Sequence, residues 1–390
     1  MQRIACVTSA VALFALQVQC DADASYRRLE ALNKSEIKSL DDFFDTKMET
    51  RLTNLPKSGQ APEPWSGPLW LSINDSINYA WNDGQPSPSA KYALAFNMDV
   101  KEIMDKVSAK SGVDAYETSK ICTSSSQCDN AFCAIRTNAV SGRCLQPWFG
   151  LSHGLVPASL LEKKPVCSVK HNNVVFEPID IMGLITFIYA EANLPRLFIG
   201  KRYRGDDGSE DAHGRFSVSS YRDVNPGIFH ITASNLLGKL KRSFIIDIHA
   251  DELVWNQPVH TFKVSKQKLM TLKEAAQEFY KQDSYTWNAD ATEIVHVNSQ
   301  ITTVDAVEIV DGKLSVSLPA EPLPYDYILE LNKDGKIVGG EWVRDSLNQH
   351  PDFYWIPQSR PAADFVSVTG LSYADVSLLA EKSAACSDKP

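Results

Sequence analysis

Residues 146–158 read Q-P-W-F-G-L-S-H-G-L-V-P-A, and they place a hydroxyl, Ser152, and an imidazole, His153, just before the apolar run Leu155 to Leu161. That run predicts a helix, with Pro157 tolerable in its first turn. A small polar residue at a helix start lies among unpaired N–H groups at the positive dipole end, which stabilise a thiolate or a developing oxyanion. Serine is also among the best N-caps, and on this stretch alone the plain capping role is the better reading. Nucleophilic acyl transfer further needs a base and a group that orients it. His230 alternates with Phe229 and Ile231, and Asp247 with Ile246 and Ile248, so the sequence offers a histidine on one strand and a carboxylate on the next. A carboxylate in so apolar a strand is not buried without a partner.

The elements that would position these groups follow in order. Residues 25 to about 60 show helical apolar spacing, and Pro56 to Pro68 form a proline-rich linker or extended segment. Helical character returns over 91–110. A short strand is expected at Asn172 to Phe176 and an apolar helix at Ile179 to Ala192. From Gly227 onward G-I-F-H-I-T, S-F-I-I-D-I-H and E-L-V-W-N-Q-P-V-H-T-F-K-V predict successive antiparallel strands. A helix near Thr271 to Lys281 is followed by strands at Glu293 to Val297, Ala306 to Leu318 and Tyr327 to Asn332. The turn Asn332-Lys-Asp-Gly335 joins the last of these to Lys336 to Val343. Ser372 to Glu381 closes the chain as a capped helix. The class is α+β, helices first and a mainly antiparallel sheet after.

Composition bounds the function. A net charge of −9 over 390 residues argues against a general nucleic-acid binder or a membrane-attracted surface. Arg3, the apolar run Ala5 to Val18 and Ala22-Asp-Ala24 read as a secretory signal peptide over residues 1–24, too short to span a membrane. Removing it also removes Cys6 and Cys20. Cys122, Cys128, Cys133, Cys144, Cys167 and Cys386 remain, an even number that fits three disulfides in an oxidising compartment and leaves no free thiol. The first four, C-x5-C-x4-C-x10-C, lack the CxxC pairs of a zinc site, so a stapled loop is the better reading. Asn33 and Asn74 begin glycosylation sequons. The acids of residues 205–211 are not spaced as an EF-hand and read as a solvated turn.

Val254-Trp-Asn-Gln-Pro-Val259, continued by His260-Thr-Phe262-Lys263-Val264, resembles the immune-eliciting peptide of the oomycete transglutaminase elicitors, secreted cell-wall glycoproteins of plant-pathogenic water moulds. Cys133-Ala-Ile-Arg136, Trp148-Phe-Gly150, Gly339-Gly-Glu-Trp342, His350-Pro-Asp-Phe353 and Gly370-Leu-Ser-Tyr-Ala-Asp-Val376 extend the likeness from the cysteine loop to Cys386. The resemblance implies a papain-like or transglutaminase-like core over 111–390, preceded by a leader or pro-segment and helical region over 25–110. It also implies Ca2+-dependent transfer of glutamine acyl groups to primary amines, and perception by a plant receptor. By position it puts the nucleophile at Ser152, the base at His230 and the orienting carboxylate at Asp247, with His249 and Asp251 as weaker alternatives and no role required of His153. It implies an epitope of Val254, Trp255, Asn256, Gln257, Pro258, Val259, Phe262, Lys263 and Val264. The calcium ligands are not implied. The chain departs from the family where C-H-A-W-A-P-A is S-H-G-L-V-P-A: the thiol becomes the Ser152 hydroxyl, and the tryptophan becomes Leu155. A cysteine beside an imidazolium at a helix start ionises readily, whereas a serine must lose its proton as it attacks, which is expected to lower the rate by orders of magnitude. A working serine acyltransferase, a silent wall-associated binding protein and a structural glycoprotein perceived by plants are the three resulting readings.

Overall fold

The computed structural model describes residues 32–205 and 224–386. Residues 1–24, expected as a signal peptide, and residues 206–211 of the acidic turn lie outside the described residues. No described helix is long and apolar enough to cross a membrane.

The chain begins with helix α1 (Lys34–Phe44), capped by the Asn33 side chain, and a short strand β1 (Ser58–Gln60). Helices α2 (Pro88–Ala95) and α3 (Val100–Ser111) follow. The cysteine-dense loop folds as a small sheet of β2 (Ile121–Cys122), β3 (Phe132–Ala134) and β4 (Gly142–Leu145). Disulfides Cys122–Cys133 and Cys128–Cys144 staple it, and Cys167–Cys386 ties the middle of the chain to its end. All six cysteines among the described residues are thus spent, which rules out the zinc alternative.

Helix α4 (Ser152–Leu161) leads to the hairpin β5 (Val169–His171) and β6 (Val174–Phe176) and the apolar helix α5 (Pro178–Glu191). The single strand expected at 172–176 is the second arm of that hairpin, with Asn172 and Asn173 turning at positive φ. Pro157 stands in the second turn of α4 rather than the first. Gly154 lets α4 and α5 approach, since a Cβ there would lie 2.2 Å from the Thr186 carbonyl oxygen.

After β7 (Arg196–Gly200) comes the largest departure from the sequence reading. Residues expected as a strand around His230 form helix α6 (Pro226–Ala233), continued by a π-helical turn over Ser234–Leu240. Pro226 at the first helical position and the Asn225 side chain accepting from Gly227 N–H nucleate it. Every residue of α6 is buried, so apolar and polar positions carry no face information, and alternation there is not a strand signal.

Strands β8 (Ile245–Asp247), β9 (Asn256–Pro258) and β10 (Thr261–Met270) precede helix α7 (Leu272–Tyr280), whose Thr271 and Glu274 form a capping box. Next come β11 (Glu293–Thr302), the hairpin β12 (Ala306–Val310) and β13 (Lys313–Leu318), β14 (Leu323–Leu331) and β15 (Ile337–Trp342). Strand β16 (Phe353–Pro357) and helix α8 (Tyr373–Ala385) complete the chain.

Two sheets organise these elements. One is antiparallel in the order β1-β10-β11-β14-β15, with α6 on its face and a core built around Phe229, Phe262, Tyr327 and Trp342. The other runs β7-β16-β8-β9, and α4 lies on it through Val156, Ile245, Phe353 and Trp355. A second large core joins α2, α4, α5 and α8. The N-terminal region contributes to both cores, Leu40 and Leu55 to the first and Trp65, Trp70 and Tyr92 to the second. Arg136 of the cysteine loop meets Asp75, Asp105 and Asp114 at 3.3, 2.8 and 2.7 Å, clamping that loop to α3 and its surroundings.

Candidate functional site

Ser152 is the first residue of α4, and Leu151 precedes it with its N–H bonded to the Leu69 carbonyl at 2.8 Å. The serine is therefore inside the helix rather than capping it. The first N–H groups of the helix have no intrahelical acceptor and face the same end as the hydroxyl.

Strand β9 supplies the serine's partner. Asn256 Nδ2 donates to Ser152 Oγ at 3.4 Å, while Trp355 Nε1 donates to Asn256 Oδ1 at 2.9 Å. The indole fixes the amide orientation, because only the carbonyl oxygen accepts a hydrogen bond. An N–H pair is consequently held toward Ser152. Arg196 stacks its guanidinium 5.4 Å over the Trp355 ring, adding a cation–π contact to the same chain of groups. Asn256 is almost wholly buried, and Ser152 is half-buried.

Asp247 is Asn256's cross-strand neighbour in the β8–β9 register, which puts both on one face. Its Oδ1 accepts from Trp255 N–H at 2.9 Å, and its buried Oδ2 has no partner among the described residues. Burial pushes the carboxyl up to about 7 against the lowering pull of the Trp255 N–H, and neighbouring Asp352 raises it further. Asp352, at the start of β16, is pushed up to about 7 by burial as well, though Tyr203 N–H donates to both its oxygens at 3.1 and 2.9 Å.

The structure brings Ser152 and Asp247 to the same sheet face and leaves His230 elsewhere. His230 Nδ1 bonds Tyr327 Oη at 2.8 Å, and its ring meets Phe262 edge-on in the core of the five-stranded sheet. Full burial drives its pKa down to about 3, so the ring is neutral across the physiological range. The displacement has one cause: the expected strand is a helix, and it packs on the other sheet. Of the alternatives, His249 and Asp251 lie exposed in the loop after β8, where Asp251 accepts from Leu253 N–H. His153 reaches solvent with part of its surface, but protein packed around the ring, and then the Arg196 charge, hold its pKa below the ordinary value.

The elicitor-like segment is woven into this site. Asn256, Pro258, Val259 and Phe262 are buried, Val254, Trp255, Gln257 and Val264 are half-buried, and Lys263 is exposed. Its second half lies in β10, flanked by β1 on one side and β11 on the other. Leu155 is buried, with Cδ1 facing the same spot beside Gly67 as the Trp65 ring.

A calcium ion would need six to eight oxygen ligands. Arg136 already fills the Asp75–Asp105–Asp114 cluster. Among the described residues the only three metal-binding side chains whose ligand atoms converge are Cys122, Cys128 and Cys133, all in disulfides.

Asn33 and Asn74 are both exposed. Asn33 uses its Oδ1 to cap α1.

Sequence reasoning missed Asn256 as a partner of the serine, Trp355 as its lock and Asp352 as the second raised carboxyl. Asn256 and Asp352 stood inside segments singled out for their family resemblance; Trp355 carried no signal at all.

No curated protein matches the chain. Among solved structures it is similar to the GP42 transglutaminase from Phytophthora sojae, with 42% identity, a TM-score of 0.81, and 92% of this chain and 100% of that chain covered. The family model described as transglutaminase elicitor matches residues 36–386. With a stapled α+β fold of that shape and the family match spanning nearly its whole length, the chain belongs to the transglutaminase elicitor family.

Proposed function

We propose that this is a secreted transglutaminase-type elicitor in which the acyl-transfer site is retained as a scaffold but silenced at the nucleophile, and whose output is recognition by plants. The observation that carries this is the Ser152–Asn256–Trp355 chain: a residue of the elicitor-like segment is itself locked against the nucleophile position. Site and epitope are therefore one piece of structure, and keeping the epitope's shape keeps the site's shape.

Acyl transfer from a glutamine side chain would proceed by attack of Oγ on the amide carbon. The C–N bond breaks, the Oγ proton leaves with the nitrogen as ammonia, and a primary amine then displaces the serine ester. The α4 N–H groups and the Asn256 amide supply donors where the carbonyl oxygen gains charge. What is missing is ionisation of the nucleophile. A thiol at this helix start would ionise, while a hydroxyl must hand its proton to a base, and the expected imidazole is hydrogen-bonded to Tyr327 in another core. The signal peptide, the disulfides, and sequons at exposed Asn33 and Asn74 support a glycosylated extracellular or wall-associated protein.

A medium-alkalinisation assay on responsive plant cells tests the recognition half. A synthetic peptide of residues 254–266 and full-length Ser152→Ala are both expected to elicit as the natural protein does. No response to micromolar peptide would contradict the proposal.

A further inference from the structure

A groove of about 1060 Å³ opens at the far end of α4, walled by Trp65, by Leu314 and Val316 of the β12–β13 hairpin, and by Ile356. Two pairs of cations line it: Lys163 and Lys164 just beyond α4, and Lys241 and Arg242 just beyond the π-helical turn. All four are exposed, and none forms an ion pair among the described residues. In a chain of net charge −9 this is a local reversal of sign. Of the three acids at the groove, Glu162 accepts from Tyr189 and Tyr373 and Asp305 from Ala320 N–H, while Glu63 is exposed, which leaves the four cations in excess.

The groove adjoins the site. A narrower pocket lined by Leu155, Val156, Trp255 and Asn256 shares Trp65, Ser66, Ser159 and Val307 with it. Asn256 in turn touches Ser152. The groove is open along one side, so a chain longer than a single residue can lie in it. Its tryptophan, Trp65, is buried, with Nε1 bonded to the Glu162 carbonyl oxygen, so it offers no open ring for a sugar to stack on. Apolar walls with unpaired cations suit a polypeptide carrying carboxylates. Helix α4 has 10 residues. At about 1.5 Å per residue Lys163 and Lys164 lie roughly 15 Å from Ser152, which an extended chain spans in about five residues.

We infer that this groove is the docking track for the acyl-donor polypeptide and selects chains with acidic side chains about five residues from the reacting glutamine. The inference rests on the acyl-transfer reading of Ser152 for the glutamine, but docking requires no turnover.

Fluorescence anisotropy on the full-length natural protein tests it, with a labelled glutamine peptide bearing two aspartates five positions away and the same peptide bearing asparagines. The acidic peptide is expected to bind at least about tenfold more tightly, with an advantage that shrinks as salt rises. Lys163→Glu with Lys164→Glu, and separately Lys241→Glu with Arg242→Glu, should each abolish the advantage without changing the melting temperature. Equal affinity for both peptides, or an advantage surviving both charge reversals, overturns the inference. Tighter binding of a polyuronate than of the acidic peptide overturns the polypeptide assignment. If Ser152→Cys incorporates no amine while acidic binding persists, the acyl-transfer reading fails and the groove stands as a peptide site.

Discussion

The Ser152 face and the His230 core both bury polar, titratable side chains, yet they are built to opposite ends. In the His230 core the imidazole has its Tyr327 partner and Thr232 has Tyr354, and the polar atoms there without a partner among the described residues, Ser234 Oγ and Ser299 Oγ, are neutral hydroxyls, so the region is a stability device. On the Ser152 face an oxygen of Asp247 is left without a partner, two carboxyls are pushed up to about 7, and an amide is aimed at a half-buried hydroxyl. Burial of a titratable group is common to both. Raised carboxyls beside a hydroxyl at a helix start belong only to the second, the pattern expected of a candidate site.

Substitutions on each side separate the two. In the Ser152→Cys background, Asn256→Ala removes the donor facing the nucleophile and is expected to lower the rate of amine incorporation by about 10²-fold. An unchanged rate would take Asn256 out of the site. His230→Gln should do the reverse, costing about 1–3 kcal/mol in denaturant unfolding because Tyr327 Oη loses its partner in a packed core, with turnover of the cysteine form unaltered. Loss of turnover at unchanged stability would return His230 to the site. Trp355→Phe keeps the ring but not the N–H that fixes Asn256, and should cost the cysteine form about tenfold, or roughly 1.4 kcal/mol, in kcat with little change in KM.

The smallest effects are in the pH dependence of stability, where the two regions slope oppositely. Asp247 rises from 3.8 in the unfolded chain to about 7, so its contribution is full at the acidic end and is lost as pH climbs through about 7. His230 falls from 6.5 to about 3, so its contribution is full above 6.5 and is lost as pH drops through about 3. Melting curves of Asp247→Asn should show a shallower decline between about pH 4 and 7, with the share of Asp352 remaining, and those of His230→Gln should lose the rise between about pH 3 and 6.5. Identical slopes in both variants would contradict the assignment of distinct environments.

The same contrast explains what the sequence could tell. Local signals were legible: cysteine parity and spacing, the Asn332–Gly335 hairpin turn, the Thr271 capping box, and the glycine and apolar run that start α4. The His230 region was misread because a fully buried helix hides its period, and the apolar residues flanking the histidine look the same in a strand. The Asn256 contacts were invisible for a different reason. Its hydrogen bonds to Ser152 and Trp355 join residues 104 and 99 positions apart, and only the assembled β7-β16-β8-β9 sheet brings them together. The strand holding Asp247 was legible because its β-branched run reads the same without knowing its neighbours.

The most direct measurement compares amine incorporation by the natural protein and by Ser152→Cys, with calcium present. Activity confined to the cysteine form is the predicted result, and it would make the natural chain a transglutaminase scaffold silenced at one atom. Comparable incorporation by the serine form, lost in Ser152→Ala, would contradict the account and make Ser152 a working nucleophile.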